Sequence, residues 1–144
     1  MSRTAAAARD GLQARRLALL ALFEEEFRPG RGEEALERMA GDRSVTPEVL
    51  EHARRIVSGV AEHRSDLDLQ IARLAPAIPV SELGRVERSI LRSAVFEVLY
   101  SAATPSGETI SDAVSLARIY AGDAARRLVN GVLGSVSRSS GGGA

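Results

Sequence analysis

Apolar side chains recur at helical spacing from one end of this 144-residue chain to the other. Leu12, Leu19, Phe23 and Phe27 stand seven, four and four residues apart, a single stripe that Leu20 widens. That pattern predicts a first helix over residues 9–27, stopped by Arg28-Pro29-Gly30. A short acidic helix follows over residues 33–40. Thr46-Pro47-Glu48 then reads as an N-cap, a first-turn proline and an acid favoured by the helix dipole. They open a long helix whose apolar positions Leu50, Ala53, Val57, Val60, Leu67, Ile71 and Leu74 keep to steps of three, four or seven.

Pro76 and Pro79 break the run. After them Val86, Ile90, Ala94 and Val98, flanked by Leu83, Leu91 and Val95, make the most apolar helix of the chain and the expected centre of the core. Thr104-Pro105-Ser106-Gly107 starts another helix through Ile110, Ala113, Val114, Ala117 and Tyr120. Ala121-Gly122-Asp123 closes it and opens the last, where Leu128, Val129, Val132, Leu133 and Val136 share a face. Asn130-Gly131 also suits a hairpin turn, but the 3.6-residue period runs straight through it. The prediction is all-α: a compact bundle of about seven helices, with residues 1–8 a flexible arm, 9–138 one domain and 139–144 a disordered Gly/Ser-rich tail.

Composition agrees with a folded domain, at 44% hydrophobic and 26% charged residues. The absence of Cys excludes disulfides, thiol catalysis and thiolate zinc sites. No apolar stretch approaches the ~20 residues that span a bilayer, so the expectation is a cytoplasmic protein with no membrane partner. The 19 basic residues, all Arg, balance 19 acidic ones. By position the balance is uneven: residues 1–16 sum to +3, 17–51 to −5, 52–93 to +2, 94–123 to −3 and 124–144 to +3. If the first and last helices meet, the two basic ends form one patch able to steer an anion.

Catalytic chemistry finds little support. His52 and His63 lie eleven residues apart on one helix, ~16 Å and too far to share a metal. Asp66 and Asp68 point to different sides of that helix. With no phosphate loop, nucleophile elbow or metal motif, the chain reads as a non-enzyme without a cofactor. What remains is arginine-rich surface. Arg9, Arg15 and Arg16 on the first helix and Arg126 and Arg127 at the start of the last offer planar forks suited to phosphate.

Three ordered blocks sharpen this: residues 82–98, Glu-Leu-Gly-Arg-Val-Glu-Arg-Ser-Ile-Leu-Arg-Ser-Ala-Val-Phe-Glu-Val; 110–120, Ile-Ser-Asp-Ala-Val-Ser-Leu-Ala-Arg-Ile-Tyr; and 128–133, Leu-Val-Asn-Gly-Val-Leu. In order and spacing they closely resemble the NusB transcription antitermination family. The likeness extends to Ala14-Arg15-Arg16, Ala21-Leu22-Phe23 and Ile56-Val57-Ser58-Gly59-Val60, and covers nearly everything from Ala14 to Val136. It implies a seven-helix fold that binds boxA-like single-stranded RNA of nascent ribosomal transcripts together with the ribosomal protein NusE, within an RNA polymerase antitermination complex.

In this family RNA lies along the basic N-terminal region and the start of the last helix. The likeness therefore points to Arg9, Arg15, Arg16, Arg126 and Arg127 for phosphates. Phe23 is divided between core packing and RNA stacking. Asn130 and Gly131 are divided between RNA contact and structural roles, the amide tying down backbone and the glycine permitting close helix packing. The family's use of the helix around residues 82–88 for NusE makes Glu87 and Arg88 the partner-binding candidates, against the alternative of a solvated first turn. A homodimer stays open, as some relatives form one.

Two departures stand out. Gly11, Leu12 and Gln13 occupy the place of the family's arginine cluster, and Leu128 the place of an aromatic before Val-Asn-Gly. A lost stacking platform is worth ~1–3 kcal/mol per base. Two alternatives follow: an interaction module with this fold that reads RNA weakly, or a free-standing relative of the NusB-like domain that precedes rRNA cytosine methyltransferases.

Overall fold

A computed structural model describes residues 4–101 and 105–142. Its six α-helices are α1 (Ala5–Phe27), α2 (Gly32–Met39), α3 (Pro47–Leu74), α4 (Arg85–Tyr100), α5 (Ser106–Ala121) and α6 (Asp123–Gly142). One 3-10 turn, Val80–Glu82, precedes α4, and no strand occurs among the described residues. The difference from seven lies in α3, which bends at His63, where φ −109° and ψ 15° leave the helical region. Its two limbs counted separately make seven rods.

The breakers act where the sequence puts them. Gly30 at φ 84° and Gly122 at φ 92° take left-handed conformations that side chains disfavour, which ends α1 and separates α5 from α6. Thr46 Oγ1 accepts the Val49 N–H at 3.2 Å, capping α3. The ends of the chain differ from expectation. The helix reaches back to Ala5 because a run of alanines, the best helix formers, meets Thr4, whose hydroxyl accepts the Ala7 N–H at 3.0 Å. At the other end α6 runs on through residues 139–142, since extending a formed helix fixes one residue per bond without a new nucleus. Residues 1–3 and 143–144 of the expected arm and tail, and Thr104 of the expected helix start, lie outside the described residues.

Two compact units, Met1–Gly59 and Val60–Ala144, are described in turn. In the first unit α2 packs on α1. Glu25 of α1 reaches the start of α2, accepting the Gly32 N–H at 3.1 Å, and Arg54 of α3 pairs with Glu33 at 3.5 Å.

In the second unit α4, α5 and α6 pack on one another. Ile90, Leu91, Ala94 and Val95 of α4 are all buried, as the expected central helix requires. The distal limb of α3 is tied to α4 by a two-pronged pair. Arg92 Nε and Nη2 donate to Asp68 Oδ1 and Oδ2 at 2.8 and 2.9 Å. One turn earlier the His63 ring stacks on Tyr100, centroids 4.0 Å apart, and Tyr100 donates its hydroxyl to Asp66. Asp66 and Asp68 thus serve different partners.

Candidate nucleic-acid interface

The start of α6 collects most of the chemistry. Gly122 turns the chain and Asp123 opens the helix, so residues three and four further on stand over the same turn. Those residues are Arg126 and Arg127. Asp123 Oδ1 accepts from Arg126 Nε at 2.7 Å and its Oδ2 from Arg127 Nη1 at 2.6 Å, so one carboxylate holds both guanidinium groups. The Asp123 carboxyl is held below its ordinary range, first by the hydrogen bond from Arg126, then by that residue's charge, with smaller help from Arg127 and Arg118. Arg126 is half-buried and Arg127 exposed. One turn on, Asn130 is exposed and Leu128 is half-buried.

Gly131 is exposed too, and beyond its chain neighbours and its own helix backbone no described heavy atom lies within 4 Å of where its Cβ would stand. That corrects the reading in which its missing side chain permits close helix packing.

On α1, in the other unit, Arg9 and Arg16 are exposed but Arg15 is buried, at 5% of its free surface. The correction follows from phase. Arg15 falls between Ala14 and Leu17 on the buried face, so its guanidinium is not offered to solvent phosphate as expected. Arg16 lies near the loop before α3. The Asp42 carboxyl there is lowered mainly by the backbone and hydroxyl of Ser44, with Arg16 adding a small part. Phe23 is half-buried, with its ring edge-on to Phe27 at 5.2 Å, and Phe27 is 57% exposed.

At the start of α4, Glu87 and Arg88 are half-buried. Arg88 Nη1 donates to the carbonyls of Val80, Ser81 and Leu83 at 3.2–3.3 Å, gathering the 3-10 turn onto the helix. Glu87 folds back over Gly84, whose Cβ, if present, would lie 2.5 Å from Glu87 Oε2. Both candidates thus have local work in shaping this turn.

Sequence reasoning did not single out Asp123 as part of the basic cluster. The signal was present in its spacing of three and four from the two arginines. The burial of Arg15 had no comparable signal, because Arg15-Arg16 reads as a solvated pair until the helix phase is fixed.

Comparison with known proteins places the whole chain. The chain is 40% identical over 121 residues to the transcription antitermination protein NusB of Chloroflexus aggregans, covering 83% of this chain and 81% of that protein. It is 35% identical over 127 residues to the same-named protein of Dehalococcoides mccartyi, covering 88% and 89%. A chain in the crystal structure of antitermination factors NusB and NusE in complex with double-stranded RNA superposes with a TM-score of 0.82 at 26% identity, covering 91% of this chain and 98% of that one. Residues 12–138 match the NusB family profile, so with these relatives over most of its length the chain belongs to the NusB family.

Proposed function

We propose that this protein is an RNA-binding transcription antitermination factor. It captures boxA-type single-stranded RNA in nascent rRNA transcripts together with NusE, and so helps RNA polymerase resist termination. The observation that carries the reading is the group on the first turns of α6, where Arg126, Arg127 and Asn130 stand in a chain of the NusB family. Arg9 and Arg16 on α1 supply a second exposed cluster. Guanidinium forks hold phosphates, and the amide reads base edges that a single strand leaves open. We place NusE on the surface at the start of α4, where Arg88 shapes the turn and the half-buried Glu87 lies over Gly84.

The test is binding of boxA RNA and of a scrambled strand, with and without the protein's own NusE, across a salt series. The expected result is a preference for boxA that NusE strengthens. Replacing Arg126 and Arg127 by Ala should flatten the plot of log affinity against log salt by about one to one and a half units, near 0.7 per lost phosphate contact on a single strand. No preference for boxA, alone or with NusE, overturns the reading. A second reading, an interaction module that reads RNA weakly, is favoured by buried Arg15 and by Leu128, and predicts NusE binding with little discrimination between the two strands.

A further inference from the structure

We propose that Asp123 is a built-in competitor for phosphate, which occupies the Arg126 and Arg127 forks in the free protein and is displaced when RNA arrives. The inference rests on the RNA-binding reading of α6 and goes beyond it by naming the group that sets its stringency. Three observations carry it. First, the two oxygens of one carboxylate are divided between the two arginines, Oδ1 to Arg126 at 2.7 Å and Oδ2 to Arg127 at 2.6 Å. A phosphate would make the same kind of charge-assisted bonds with the same donors.

Second, the triad is open to water. The side chains of Asp123, Arg126 and Arg127 are 58%, 35% and 66% exposed, so these pairs are of the weak, screened kind that a polyanion can displace. Third, Asp123 remains beside any phosphate bound to those arginines, because its backbone is fixed in the first turn of α6. Its charge therefore opposes the ligand twice, by holding the forks before binding and by repelling the phosphate afterwards. In the free protein Arg126, with smaller help from Arg127 and Arg118, holds the carboxyl below its ordinary range and so keeps it charged.

The consequence is discrimination. A strand that offers only phosphates must displace the carboxylate with little else to offset it, whereas a strand that also places a base against Asn130 or Leu128 gains further contacts. Asp123 therefore suppresses indiscriminate binding more than specific binding.

The experiment measures boxA and scrambled RNA binding to the full chain, in a salt series, for the parent, Asp123→Asn, Asp123→Glu, Arg126→Ala/Arg127→Ala and the combination of Asp123→Asn with both arginine changes. Asn keeps the shape without the charge, and Glu keeps the charge. Circular dichroism establishes that each variant is folded. Asp123→Asn should bind scrambled RNA about 3- to 10-fold more tightly at low salt, the scale on which a rim charge acts, with a smaller gain for boxA and a steeper salt slope. Asp123→Glu should resemble the parent. In the double-arginine background Asp123→Asn should gain less than 2-fold.

If Asp123→Asn binds no tighter than the parent while the arginine changes weaken binding, the competitor role is wrong and RNA on α6 stands. An equal gain with and without the arginines also overturns it, since the carboxylate would then act by general repulsion. If neither the aspartate nor the arginine changes alter binding, RNA does not use α6, and the placement of the RNA falls with the inference.

Discussion

At the residue scale, the side chains that matter are those whose partners were set by helix phase rather than by type. Arg15 and Arg16 are adjacent and chemically identical, yet one is buried and the other exposed, because successive helical residues turn by about 100°. Arg88 is drawn inward by three carbonyls that a sequence does not display as neighbours. Tyr100 offers a sharper test of such a local partnership. Its hydroxyl donates to Asp66, and that bond, followed by burial and the Asp66 charge, raises the phenol above its ordinary value of 10.0. The folded state therefore holds this proton more tightly than the unfolded state. The stabilisation is complete below pH 10.0 and is lost as pH rises through the raised value. Tyr100→Phe keeps the ring stacked on His63 but removes the bond, so it should be less stable than the parent near neutrality and should approach it at strongly alkaline pH. Urea titrations at pH 8 and 11 measure this, and a difference independent of pH would mean that the bond to Asp66 does not form in solution.

At the scale of the element, most boundaries were legible because strong local signals set them: Pro29-Gly30, Thr46-Pro47, Pro76 and Gly122 act on the backbone of their own residues. The bend of α3 at His63 was not legible. It coincides with a ring stack on Tyr100 and Phe96, which lie more than thirty positions away in sequence. The glycines separate local from tertiary effects in a way that can be measured. Gly32 begins α2, and a Cβ there would lie 2.7 Å from Glu25 Oε1 and 3.0 Å from Val57 Cγ1. Gly32→Ala should therefore expel the Glu25 carboxylate from its hydrogen bond to the Gly32 N–H and press on Val57. A loss of about 1 kcal/mol is expected, the scale of a lost helix cap with mild overpacking. Gly131, inside α6 with open space around it, should respond in the opposite sense. Gly131→Ala should gain about 1 kcal/mol from helix propensity alone. Thermal denaturation of both variants decides it, and a destabilised Gly131→Ala would mean that the open space on α6 is filled in solution. If that variant is stabilised yet binds boxA RNA less well, the glycine is retained for the ligand's approach rather than for the fold.

At the scale of the whole molecule, the balance of 19 basic and 19 acidic residues looks at first like an argument against a polyanionic partner. The arrangement at α6 shows how little such a sum means locally, since Asp123 cancels part of the charge of the arginines it serves. The two basic ends are legible by adding charges along the chain, but the acid that occupies one of them is not, because it closes the preceding acidic block. Neutrality nevertheless has a consequence of its own. The sequence isoelectric point is about 6.8, so the chain passes from net negative to net positive as pH falls across that value. Long-range attraction to any polyanion follows this net charge, whereas base-edge hydrogen bonds do not. Lowering the pH from 8 to 6 at fixed low salt should therefore strengthen binding of scrambled RNA more than that of boxA RNA, compressing the preference between them. The effect should vanish at high salt, where the screening length falls to ~3 Å at 1 M. Fluorescence anisotropy with both strands at two pH values and two salt concentrations provides the measurement. A scrambled strand whose low-salt affinity is the same at pH 6 and pH 8 would show that local arginine contacts alone, and not the field of the whole chain, govern capture.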